Sequence, residues 1–119
     1  MICGLLGIGL AGIAMANGAL EGGSPAIMVS PSTIVLAKVD TISVHTNIPA
    51  SVVVDGSLTL AVNNGIAYDV DRWGVDRLGH ITFKFPVDAL KLVPGEATLT
   101  LSGVLEDGPF SASDIVTVK

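Results

Sequence analysis

The stretch YDVDRWGVD, Tyr68 to Asp76, sets three carboxylates, Asp69, Asp71 and Asp76, around a single glycine, Gly74. Hard cations such as Ca²⁺ select several oxygen ligands from a flexible loop, so these aspartates, helped by backbone carbonyls, are candidate calcium ligands. Arg72 and Trp73 stand between them and add no oxygen. The competing expectation is a solvated loop whose carboxylates pair with Arg72 or Arg77.

Trp73 is the only tryptophan. In a polar loop it either anchors that loop on the domain or offers an aromatic contact to a neighbour. His45 and His80 fall at outward positions of alternating runs, and their spacing announces no third metal ligand. Glu106 and Asp107 are adjacent but sit in EDGP, a turn, and NNG (Asn63–Gly65) reads as a hairpin. No G-x-S-x-G elbow occurs, and GIGLAG has neither a preceding strand nor the α/β alternation of a dinucleotide site. Nothing pairs a nucleophile with a base, so the sequence predicts no enzyme.

These residues must be held by strands. From residue 26 onward, short apolar alternations recur: Ile27 and Val29, Ile34 and Leu36, Ile42 and Val44, and Leu58, Leu60 and Val62. Ile81, Phe83 and Phe85 follow, then Ala97, Leu99 and Leu101, then Val116 and Val118. Period-2 alternation marks strands with one buried and one wet face. IPAS, NNG, VPGE and EDGP punctuate them with turn-forming residues. Seven or eight such strands predict a mainly β, antiparallel sandwich, with VDALKL (Val87–Leu92) as a helical turn crossing between sheets.

At 119 residues the chain suits one domain with an appendage. Its formal net charge is −5, and its six basic residues are scattered from Lys38 to Lys119. No basic stripe exists to neutralise a phosphate backbone, so nucleic acid is not an expected partner. The sole cysteine, Cys3, can form no intramolecular disulfide.

Three stretches, VSPSTIVL, DVDRWGVDRLGHITFKFP and PGEATLTLSGVLEDGPFSASDIVTVK, together resemble an immunoglobulin-like β-sandwich module repeated in large secreted bacterial and archaeal proteins. The resemblance covers about residues 26–119. In that module the middle stretch reads D-x-D-x-D-G-x-x-D, which implies calcium at Asp69, Asp71 and Asp76. The module is structural where it recurs, so the resemblance implies no activity.

The first 20 residues are different in kind. They contain no charged residue, five glycines and many alanines, and half of the whole chain is apolar, with mean hydropathy +0.69. A signal peptide would have a basic n-region, which is absent here. A membrane anchor has barely enough residues to span, and no Lys or Arg flanks it. Read as a helix, Gly4, Gly7, Ala11, Ala14 and Gly18 form a small-residue stripe that allows close packing of copies. Leu6, Leu10, Ile13 and Leu20 supply apolar bulk beside it. Read as a strand, GIGL and GIAMA alternate, with Ile8, Leu10, Ile13 and Met15 as plugs for another subunit's sheet. The helix is preferred, and Leu6, Ile8, Leu10, Ile13, Met15 and Leu20 are the expected assembly interface.

The chain therefore divides into an apolar segment (1–20), a flexible EGGSP linker (21–25) and the sandwich (26–119). This layout resembles pilin-like filament subunits, whose apolar N-terminal segment forms the fibre core beneath a β-domain coat. The resemblance implies a structural subunit of an extracellular filament or surface assembly. Its expected partners are copies of itself, with membrane contact before assembly. The alternative is a membrane-anchored cell-surface binding or adhesion module.

Overall fold

A computed structural model describes residues 24–119. The expected assembly residues, Leu6 to Leu20, lie outside the described residues. Nine strands form two sheets. They are β1 (Ile27–Ser30), β2 (Thr33–Ile34), β3 (Thr41–Pro49), β4 (Thr59–Val62), β5 (Ala67–Asp69), β6 (Gly74–Val75), β7 (His80–Pro86), β8 (Gly95–Leu105) and β9 (Gly108–Val118). One sheet has the order β1-β3-β7-β6, and the other has the order β2-β9-β8-β4-β5. All pairings are antiparallel except β2 with β9, which run parallel.

Alternation explains the packing. Ile42 and Val44 of β3, Ile81, Phe83 and Phe85 of β7, and Ala97, Leu99 and Leu101 of β8 all turn inward and are buried. Together with Val29, Ile34, Ile48, Leu58, Leu60, Val116 and Val118 they form one apolar cluster between the sheets. Among the described residues no polar or charged side chain is fully buried, so the core carries no unpaired dipole.

The crossings between sheets are short. The chain leaves β1 at Ser30 and joins the other sheet at Thr33, beside Thr117 of β9. Helix α1 (Val87–Leu90) returns the chain from β7 towards β8, burying Val87 and Leu90, which is the helical turn predicted there. Lys91 ends it in the left-handed region. The Asn63–Asn64 turn joins β4 to β5 with both residues at positive φ, 51° and 61°. The Gly65 N–H closes that turn on the Val62 carbonyl at 2.8 Å. A two-residue turn of this hand matches the twist of its strands, and asparagine tolerates it.

Two expectations require correction. Leu36 does not share the inner face with Ile34: β2 stops at Ile34 and Leu36 is exposed. The chain turns here, with the Lys38 and Val39 N–H groups both on the Val35 carbonyl at 2.9 and 2.8 Å, while backbone bonds still join Ile34 and Leu36 to Lys119. The expected linker is also partly fastened. Asn47 donates from Nδ2 to the Ser24 carbonyl at 3.0 Å, and its Oδ1 accepts the Ala26 N–H at 2.9 Å.

Candidate functional site

The Asp69–Asp76 segment runs from the edge of one sheet to the edge of the other. Asp69 closes β5 opposite Thr59, with its side chain exposed, and Val70 inserts into the core. Asp71 and Arg72 are exposed on the crossing, and Trp73 is half-buried against the core before β6 begins. Trp73 thus packs against the core with one part of its ring and faces a cleft with another.

Asp69, Asp71, Arg72 and Trp73 line a cleft of about 620 Å³ with Asp55, Gly56, Leu58 and Val70. Asp76 is absent from this lining. Its Oδ1 accepts the Leu78 N–H at 2.8 Å and the His80 N–H at 3.0 Å, and its carbonyl accepts the Gly79 N–H at 3.0 Å. The carboxylate therefore caps the β6–β7 turn. Its pKa is held below the ordinary 3.8, chiefly by the His80 amide, which outweighs the opposing desolvation, with the Leu78 amide adding to the lowering.

The three aspartates of the calcium expectation are consequently not brought together. No group of three His, Cys, Asp or Glu side chains that could hold a metal exists among the described residues. Two features of the loop explain this. Trp73 sits where a third acidic ligand would fall and packs inward, and the Asp76 carboxylate is taken up by its own turn. The residues do not fit a calcium ion. His45 is exposed on β3, 3.4 Å from the Thr82 hydroxyl, and His80 is half-buried at the start of β7.

Sequence reasoning missed two residues. Asp55 enters the cleft from the turn before β4, and only the local DG pair hinted at a turn there. Asp114 occupies an inward position of β9 between Ala112 and Val116, and its Oδ2 accepts the Val29 N–H of the opposite sheet at 2.8 Å. An acid on an inward register is a signal that some partner must exist.

Register also places the ionisable groups along the strands. The end at which Ser24 meets Asn47 carries the Asp76–Gly79 turn, the Glu106–Asp107 turn and the Asp55 turn. The opposite end carries both signs: Lys38, Lys91 and Lys119 on the segments around β2, α1 and the end of β9, with Asp40 beside α1, Asp88 within it and Glu96 opposite Thr117. Lys84 lies nearer that end, opposite Ser43.

Fold and surface together define a mainly β, two-sheet sandwich with an acidic cleft. No family model, curated protein or solved structure matches the chain. Among the described residues, no helix is long and apolar enough to cross a membrane.

Proposed function

We propose that the chain is a structural subunit of an extracellular filament or surface assembly. In this proposal the uncharged segment 1–20 is buried among copies of itself, and an immunoglobulin-like sandwich coats the assembly. One observation carries it. The sandwich fills its core with residues between Val29 and Val118 and fastens its first described residue, Ser24, at one end. A run of 20 residues without charge precedes that point. Burying such a run contributes about 25 cal/mol per Å² of apolar surface, a driving force for association that a closed domain does not otherwise use.

The immunoglobulin-like assignment draws support from strand order. The sheet β1-β3-β7-β6 parallels the A-B-E-D arrangement of immunoglobulin domains, and β9-β8-β4-β5 parallels G-F-C-C′. Because β1 and β9 are both supplied by the chain itself, the sandwich leaves no missing strand for a neighbour to donate. That favours leaders packing on leaders over donated strands.

Electron microscopy and sedimentation of the full-length chain and of Ile13→Lys test the proposal. Fibres from the native chain, and their loss in the variant with its melting curve unchanged, are expected. Monomers from the native chain, or unaltered fibres from Ile13→Lys, would overturn it.

The cleft favours a second proposal, a membrane-anchored binding module that recognises its target around Trp73. A full-length chain that stays monomeric in detergent micelles, and whose tryptophan emission responds to a cell-surface glycan preparation, would favour this reading over the filament.

A further inference from the structure

The outward positions of the five-stranded sheet are almost free of charge. Antiparallel register sets Ala67, Ala61, Thr100 and Ser113 side by side across β5, β4, β8 and β9. The next row towards one end pairs Thr98 with Ile115, and a row near the other end pairs Val104 with Pro109. These side chains point away from the core because their neighbours Leu60, Leu99, Leu101 and Val116 are buried. Charge occurs only at the margins of these four strands, on Asp69 of the edge strand β5 and on Glu96 near the start of β8.

The outer face of the second sheet, the cleft and both ends differ. That second face carries His45 and Lys84 on its two central strands. The cleft is lined by Asp55, Asp69, Asp71 and Arg72. One end holds Glu106 and Asp107, and the other mixes Lys38, Lys91 and Lys119 with Asp40, Asp88 and Glu96. An uncharged segment laid on any of these would strip water from charges without offering them a partner. On the uncharged face the central hydroxyls answer one another, Thr100 Oγ1 lying 2.8 Å from Ser113 Oγ. Ile115, 57% exposed there, is apolar surface left to cover.

We infer that, before any assembly, segment 1–16 folds back and lies along this face of its own sandwich, over β8 and β9. Reach and length agree with this placement. The chain enters the described fold at Ser24, which Asn47 holds at one end of the molecule. Strand β1 then follows the edge of β9, fastened there by the bond from the Val29 amide to Asp114. Residues 17–23 reach at most about 25 Å, against about 20 Å for two packed layers. Segment 1–16 runs about 24 Å as a helix, while β8 and β9, of 11 residues each, are about 36 Å long. A helix about 10 Å across covers two strands about 4.8 Å apart. Leu6, Leu10 and Ile13 supply the apolar bulk, and the small side chains of Ala61, Thr100 and Ser113 leave room for it.

The inference concerns the unassembled chain and does not depend on the filament proposal. A nitroxide attached to Cys3, the only cysteine, tests it by nuclear magnetic resonance of the full-length chain, at a concentration where sedimentation velocity reports single molecules. Running down the face from the end that holds Ser24, the segment sets Cys3 near Thr98 and Asn63, so the amide signals of these residues are expected to broaden. Those of Ser43 and Lys84, at a similar level on the opposite face, are expected to stay sharp. Ser113→Glu/Ile115→Glu puts two charges under the segment at exposed positions and is expected to cut the broadening about tenfold. Met28→Glu, exposed on the other sheet, is expected to leave it unchanged. The shifts of the core amides show that each variant folds.

Sharp Thr98 and Asn63 signals, equal broadening on both faces, or broadening indifferent to Ser113→Glu/Ile115→Glu would overturn the inference. So would broadening that is as strong when the spin label and the isotope label sit on separate copies, because the segment would then lie on a neighbour. Fibres that form on concentrating a chain whose label broadens neither face uphold the filament proposal alone. A docked segment in a chain that never forms fibres upholds the docking alone.

Discussion

The Asp114 carboxylate on β9 accepts a hydrogen bond from the Val29 amide on β1 at 2.8 Å, joining the edge strand of one sheet to the body of the other. Its second oxygen accepts the Ile115 N–H at 2.9 Å. Val29 is an edge amide with no strand beyond it, so this carboxylate takes the place of a missing ladder partner. Asp114→Ala should destabilise the fold by about 1–3 kcal/mol, the cost of leaving a buried amide without its charged acceptor. Asp114→Asn, which keeps an acceptor oxygen, should recover much of the loss. Urea unfolding of the three proteins checks this, and equal stabilities would show that the Val29 amide finds water instead.

Asp76 gives the β6–β7 turn a pH dependence. Its folded pKa lies below 3.8, so the ionised form is favoured by folding. The stabilisation is therefore present in full above the unfolded value and is lost as pH falls through the lowered folded value. Asp76→Ala should lower the melting temperature at neutral pH, and the gap from the native chain should shrink at pH well below 3.8. A gap that stays constant down the acid limb would mean that the turn does not depend on the charge.

Gly103 on β8 is placed where no side chain fits. A Cβ there would lie 2.8 Å from Leu58 Cδ2 and 2.9 Å from Phe110 Cε1. Leu58 is 2% exposed, so its methyl has little room to retreat. Gly103→Ala should cost about 1–3 kcal/mol through overpacking, although alanine is the better strand former. Thermal denaturation decides it, and an unchanged or raised melting temperature would show that Leu58 repacks.

Calcium should leave the molecule unaffected. A ligand at about 100 times its Kd stabilises a folded state by roughly 2.7 kcal/mol, which a melting curve registers readily. Addition of Ca²⁺ or of a chelator should shift neither the melting temperature nor the emission of Trp73, the only tryptophan and a lining residue of the cleft. A calcium-dependent rise in either would restore the loop as a cation site.

Strand identity was largely legible in the residues. Ile42 and Val44, Ile81, Phe83 and Phe85, and Ala97, Leu99 and Leu101 all face inward as their alternation predicts. The failures occur where alternation continues past the end of a strand. Leu36 follows Ile34 in register and its N–H still reaches the Lys119 carbonyl, yet the turn closed on the Val35 carbonyl carries its side chain off the inner face. β6 was invisible because two residues, Gly74 and Val75, make no pattern, and only pairing with Ile81 and Thr82 defines them. The aspartate loop misled for a related reason. Spacing along the chain put three carboxylates close together, but their directions depend on a tryptophan that packs inward and a turn that uses Asp76 itself.

By itself, the sequence determined that this is a mainly β domain behind an uncharged segment, and which face of most strands is buried, because side-chain direction in a strand repeats every two residues. Tertiary structure alone decided how nine strands divide between two sheets, that Asp114 reaches Val29 across 85 positions of chain, and that Lys38, Lys91 and Lys119 share an end with Asp40, Asp88 and Glu96. Those are outcomes of non-local pairing: register between distant strands sets which residues share an end, and no local pattern encodes it.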